Sequence, residues 1–292
     1  MSRPPSAAQT AGRSKVVAWA LWDCGSTGMN AIVATFVFSV YLTSTVGRGL
    51  PGDTSPASWL GRALAIAGLT VAVLAPLTGV VVQAPHRRRV ALTVLTGLAV
   101  LSTAAMGLIR AQPAYFAAGL VLLAFTAACG DLASVPYNAM LRQLTTPQNS
   151  GRISGIGAAA GYFGSVMLLM LIYTAFIAGS GDDRGLLGVP VADGQNVRAA
   201  MVLAAGWFVV LALPLLVTAH AFVPSAEPDT RSVGLFSGYR QLWADLRSEW
   251  RRDRNLVYYL IVSAIFRDGI AGVFAFGRCS ASACTACRRR MC

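Results

Sequence analysis

Three polar residues stand on one side of an otherwise apolar run. Asp23, Thr27 and Asn30 follow one another at i, i+4 and i+7, the spacing that places side chains on one helix face. The run around them, residues 16–42, is long and apolar enough to cross a bilayer. A carboxylate at the centre of a membrane costs roughly 2.5–3.5 kcal/mol on insertion scales. The chemistry open to it there is narrow: to bind a cationic group, to carry a coupling proton, or to neutralise an arginine of another helix. A second acid, Asp268, sits beside Arg267 inside residues 256–276, another such run. Neighbouring residues point about 100° apart around a helix, so Arg267 and Asp268 do not face one partner. Asp131, Ser134 and Asn138 make a third polar face, at i, i+3 and i+7. Two readings stay open for each set: a substrate and proton pathway, or structural pairing and capping.

The elements that must position these groups follow from composition. Hydrophobic residues make up 55% of the chain and charged residues 12%, with a mean hydropathy of +0.58. Soluble domains carry about 25% charged residues. The chain therefore reads as an all-α membrane protein, a multi-span helical bundle. Seven spans are expected, at 16–42, 63–82, 90–109, 114–135, 153–178, 199–222 and 256–276. The spans that carry charge should line the interior of the bundle rather than face lipid. Strands of a transmembrane barrel would alternate over about 10 residues, and nothing here alternates. Residues 1–15 are polar, and the apolar run after them is too long for the core of a signal peptide, so the first span should stay as a helix.

Arginine placement gives orientation. Arg3, Arg13, Lys15, Arg87, Arg88, Arg89, Arg142, Arg152, Arg231, Arg240, Arg247, Arg251, Arg252 and Arg254 fall on one side of these spans. Arg48, Arg62, Arg110, Arg184 and Arg198 fall on the other. Positive residues collect inside, so a multi-pass protein of the plasma membrane with a cytoplasmic N-terminus is expected. The net charge of +12 is mostly this asymmetry, and nucleic acid is not an expected partner. Membrane lipids and a small-molecule solute are; coupling to protons is left open. Residues 223–255 form a long cytoplasmic linker in which Leu235, Tyr239, Leu242, Trp243, Leu246 and Trp250 recur at helical spacing, with Arg240, Arg247 and Arg251 on other faces. That is an amphipathic helix for the membrane surface, whether a plain linker or a partner site. His86 and His220 stand at span ends without other ligands nearby. No metal, no cofactor and no enzymatic constellation is expected.

Six spans, a basic linker and a new span suggest a two-half transporter whose seventh span repeats the first. Leu21-Trp22-Asp23-Cys24-Gly25 compares with Phe266-Arg267-Asp268-Gly269 if one glycine is shifted. In span five, Gly157 and Gly161 make a small-xxx-small pair suited to close helix approach, static or sliding, with Gly155 and Gly164 beside them. The segments Trp19-Ala20-Leu21-Trp22-Asp23 with Asn30, Val135-Pro136-Tyr137-Asn138-Ala139-Met140-Leu141, Gly151-Arg152-Ile153-Ser154-Gly155 leading to Gly161-Tyr162-Phe163-Gly164, and Phe266-Arg267-Asp268-Gly269 together carry a resemblance. The chain resembles the major facilitator superfamily and, within it, the vacuole effluxer-like permeases. The resemblance covers about residues 15–276. It implies a twelve-span permease working by alternating access, with amino acids or other small solutes as substrates. Superfamily members usually carry Gly-x-x-x-Asp-Arg-x-Gly-Arg-Arg between spans two and three. Here Gln83, Ala84 and His86 replace three of those positions, and Gly79, Arg87 and Arg88 remain as a gating loop.

After residue 276 the apolar pattern stops. Residues 277–292 read GRCSASACTACRRRMC, with Cys279, Cys284, Cys287 and Cys292. Cys284 and Cys287 have no second pair or histidine at ligand spacing, so neither a metal site nor a disulfide framework is expected. Such a tail is what GC-rich coding DNA gives when read out of frame, and the chain is expected to be frameshifted or truncated there. It would then hold one six-span half, 16–222, the linker 223–255 and the first span of the other half. Two function classes are compatible with this layout: a permease or its N-terminal portion, and a membrane protein or scaffold that transports nothing.

Overall fold

The protein, seen in a computed structural model, is described over residues 12–51, 53–82, 84–146, 148–179, 182–218, 235–266 and 269–270. It divides into two units, Met1–Ser232 and Val233–Cys292. In the first, six helices among the described residues are long and apolar enough to span a membrane. They are α1 (Arg13–Val46), α2 (Pro56–Val81), α3 (Pro85–Ala105), α4 (Phe116–Leu144), α5 (Ser150–Ile172) and α6 (Gln195–Thr218). Two short strands, β1 (Asp183–Arg184) and β2 (Val189–Pro190), pair antiparallel between α5 and α6.

Local chemistry sets the helix ends. Ser55 caps α2, its hydroxyl accepting from the Ser58 N–H at 3.3 Å, and Pro56 follows with its fixed φ. Pro85 opens α3 in the same way, so Arg87, Arg88 and Arg89 form its first turn rather than a loop. Arg88 Nε donates to the Val82 carbonyl at 3.0 Å, satisfying a terminal acceptor just past α2. The helix thus begins five residues ahead of the expected span. α1 also runs past its expected end, through two π turns at Ala31–Phe36 and Leu42–Val46. There the Val37 N–H donates to Ile32 O at 3.0 Å and the Gly47 N–H to Leu42 O at 2.8 Å. Each π turn inserts a residue into the ladder and re-aims the face beyond it.

α1 packs on α5 and α6, α3 on α4 and α6, and α2 on α4. Lipid is as apolar as leucine, so helices in a bilayer associate through close packing instead of hydrophobic gain. Glycines supply the closeness here. Gly157, Gly161 and Gly164 of α5 share one face, pressed on α1. A Cβ at Gly157 would strike the Trp19 ring, and one at Gly164 would strike the Cys24 carbonyl and Sγ. From the other side, a Cβ on Gly25 of α1 would lie 2.8 Å from the Phe208 ring of α6. Gly155, on another face, has open space. The largest fully buried side chains of the bundle include Trp22, Phe38, Leu92, Leu168 and Phe208.

One end of the bundle is tied by Asp193, a non-glycine residue at φ +53°. Its carboxylate accepts from the Ala111 N–H at 3.2 Å and pairs with Arg198 at 3.5 Å and Arg110 at 3.8 Å. Arg198 Nε donates in turn to Gly107 O at 2.7 Å, and the Tyr41 hydroxyl to Ile109 O at 3.2 Å. The end of α1, the α3–α4 turn and the α5–α6 loop are joined in this way. In sequence Arg110 and Arg198 read only as loop charges, and no local pattern marks Asp193.

The second unit holds α7 (Leu235–Arg252) and α8 (Arg254–Phe266). α8 covers the first part of the expected seventh span. Arg267, Asp268 and the cysteine-rich tail lie outside the described residues.

The glycine contact predicts a sharp contrast. Gly164→Ala meets backbone that cannot yield and should destabilise the bundle by about 1–3 kcal/mol, as overpacking does. Gly155→Ala, in open space, should be neutral or slightly stabilising. Thermal denaturation of the detergent-purified protein, followed by size exclusion, checks both.

Candidate functional site, an acid on a glycine seam

The face expected to line a cavity is split. Asp23 and Thr27 are half-buried where α1 meets α5, and the Thr27 hydroxyl is hydrogen-bonded to the Asp23 carboxylate. Both lean on Gly161, where a Cβ would lie 2.9 Å from Asp23 Oδ2 and 3.0 Å from Thr27 Oγ1. The carboxylate therefore rests on bare backbone. Among the described residues no cation pairs with it. Asn30, the last residue before the first π turn, is exposed.

The α4 set stays on that helix's surface. Asp131 and Asn138 are exposed, and the Ser134 hydroxyl donates to the Asp131 carbonyl at 2.6 Å. The structure thus joins Asp23 with Thr27 and leaves Asn30, Asp131 and Asn138 apart from that contact. In the 79–88 region, a Cβ at Gly79 would meet nothing within 4 Å, and Arg87 is half-buried in the first turn of α3. No group of histidine, cysteine or carboxylate side chains able to hold a metal is present among the described residues.

The inward neighbour of Asn138 is the residue that sequence reasoning missed as part of the site. Tyr137 stacks on two tryptophans of α1, at 4.6 Å from Trp19 with 4° between the planes and at 4.3 Å from Trp22 with 24°. Trp22 meets Phe208 edge-on at 5.8 Å. Trp19 Nε1 donates to the Tyr137 carbonyl at 3.3 Å, and Trp22 Nε1 to Thr96 Oγ1 at 3.2 Å. The Tyr137 hydroxyl is buried, within electrostatic reach of Asp23, and has no hydrogen-bond partner among the described residues. Trp207 Nε1 is likewise buried without a partner. It lies 3.3 Å from where a Cβ of Gly28 would stand, one turn from Asp23. The acid-bearing stretch of α1 is thus flanked by two buried donors without an acceptor among the described residues. Trp19 and Trp22, three residues apart on one helix, were the available signal that an aromatic partner lay opposite. Only the fold supplies Tyr137, 118 residues away.

The pattern of the Major Facilitator Superfamily matches residues 24–280 of this chain. The chain belongs to that superfamily. It is also similar to an uncharacterized MFS-type transporter, YxiO, of Bacillus subtilis (strain 168), with 20% identity over 258 residues. That alignment covers 87% of this chain and 57% of the relative, so the chain spans a little over half the relative's length. No solved structure matches it. A major facilitator chain with six membrane-length helices is a multi-pass membrane protein, and its bundle is the all-α fold expected from composition.

The Tyr137 ring and its hydroxyl are separable by experiment. Tyr137→Phe keeps both stacks and removes an unpartnered polar group, so stability should change by less than about 1 kcal/mol. Tyr137→Ala removes the ring from between two tryptophans and should cost about 3–5 kcal/mol. Denaturation of the two variants in one detergent measures the difference.

Proposed function

We propose that this chain carries the N-terminal half of a secondary permease that moves a small solute by alternating access, with Asp23 at the centre of its pathway. The observation behind this reading is a half-buried carboxylate in a membrane-length helix with no cation paired to it among the described residues. A purely structural acid would be expected against an arginine. An acid kept for transport must instead be left able to take up and release a proton or a cationic group. The two donors without partners, Tyr137 and Trp207, favour the same reading. Leaving a buried donor unpaired costs about 1–3 kcal/mol, and a polar solute group at this site would satisfy it.

In this proposal Thr27 orients Asp23, and Gly161 leaves the space in which the carboxylate turns. Residues 16–222 are the half that holds the site. Arg267 and Asp268 are its counterpart in the repeat, and Asn30, Asp131 and Asn138 meet the solute from the open side of α1 and α4. Gly79, Arg87 and Arg88 belong to the gate on the cytoplasmic side. In this reading the N-terminus is cytoplasmic, which the arginine asymmetry supports, and the membrane is the plasma membrane. The vacuole effluxer-like resemblance makes amino acids the first substrates to try, with protons as the coupling ion.

The chain is reconstituted into proteoliposomes with a trapped pH dye, and a panel of amino acids is presented under an imposed proton gradient. Asp23→Asn should abolish solute-dependent proton movement or uncouple it from uptake, with insertion and helicity unchanged. Wild-type rates in Asp23→Asn would remove Asp23 from the mechanism. Silence of the wild-type chain toward the whole panel would favour the other reading, a membrane protein that does not transport.

A further inference from the structure

The second unit offers a site of its own. Between α7 and α8 lies an open cleft of about 380 Å³, walled by Trp243, Leu246 and Trp250 from α7 and by Val257 and Ile261 from α8. One charged residue, Arg247, lines it. Trp250 is fixed edge-on against Tyr258 at 5.5 Å, which sets one wall.

The helical register sorts the rest of α7 into stripes. At 100° per residue, Arg240, Arg247 and Arg251 fall within an arc of about 40°. Tyr239, Trp243 and Trp250 fall within another arc of about 40°, centred roughly 80° away. Glu249 stands about 160° from Arg247. Arg252 is on that far side too and pairs there with Glu249 at 3.9 Å. The three arginines of the stripe are exposed and form no ion pair among the described residues. A line of guanidinium groups without ion pairs among the described residues therefore runs along the edge of an aromatic wall, with Glu249 on the far side.

We infer that this cleft binds an anionic membrane phospholipid, with its acyl chain against Trp243 and Trp250 and its phosphate on Arg247. The layout has the proportions of the ligand. Tryptophans favour the depth of the glycerol backbone, where one edge of the ring is dry and the other wet. A guanidinium takes two phosphate oxygens in a planar fork, and Arg240 and Arg251 add attraction for a headgroup with net negative charge. α8 is apolar and begins right after the basic stripe, where polybasic segments next to a membrane helix meet anionic lipid. A zwitterionic lipid would fill the apolar wall equally well but would gain little from the stripe.

The test uses the whole chain in nanodiscs of phosphatidylcholine titrated with phosphatidylglycerol, each lipid in turn carrying brominated acyl chains that quench tryptophan. Brominated phosphatidylglycerol should quench more than brominated phosphatidylcholine at equal content, with a saturating dependence on its fraction. The excess should vanish in the double variant Trp243→Phe, Trp250→Phe. Arg247→Gln should move the half-saturating fraction about fivefold upward, the effect of roughly one arginine at an anionic surface. Arg252→Gln, on the far side, should leave it in place and shows that a lost charge alone is not the cause. Equal quenching by both lipids, or an unmoved midpoint in Arg247→Gln, would overturn the assignment. So would tryptophans shielded from both lipids, which would mean that protein fills the cleft, as an acidic peptide would.

Discussion

The bundle depends on one contact, the laying of an acid-bearing helix against a face without side chains. In a bilayer there is no water to satisfy a stray polar group and no hydrophobic gain from joining two apolar helices. α1 brings Asp23 and Thr27 to the seam, and α5 brings Gly157, Gly161 and Gly164. The glycines let the backbones approach, and the approach shelters the carboxylate without neutralising it. Trp19 fills the space over Gly157, Cys24 that over Gly164, and the acid that over Gly161. Enlarging Gly157 or Gly164 would part α1 from α5, and α1 is the helix on which α6 also packs.

The aromatic stack supports this seam from the other side. Tyr137 lies between α4 and the two tryptophans of α1, and Phe208 of α6 closes the group. The rings hold α1 in rotation, so that Asp23 and Thr27 must face α5. The Asp193 clasp acts farther along, fixing the end of α1 through the α3–α4 turn and the α5–α6 loop. A helix anchored at its end and in its rotation, with one polar notch between, is a reasonable frame for a site that binds and releases.

Much of this was legible in sequence because membranes impose simple rules. Six long apolar runs follow from what lipid tolerates, and they correspond to α1 through α6. Span ends were less legible. The arginines at 87–89 read as a loop because charge suggests solvent exposure, whereas Pro85 starts a helix that contains them. The π turns of α1 leave no compositional trace, so composition alone ends this span too early. The spacing of Asp23 and Thr27 was informative because both lie on one regular α-helical stretch. Asn30 shares the nominal face but sits where that regularity ends. The partners of the seam were visible as types only. Gly161 advertised close packing, but which helix it met, and that a carboxylate filled the space, depended on tertiary structure. Tyr137 and Asp193 act through contacts more than 80 residues away in sequence, beyond any local pattern.

The central claim is that Asp23 works from a space that only the missing side chain of Gly161 provides. Gly161→Ala tests it most directly, through amino-acid uptake and thermal denaturation of the same preparation. The added methyl group meets movable side-chain oxygens and not backbone, so the account predicts a melting point close to wild type with uptake lost. Wild-type uptake with alanine at 161 would contradict it.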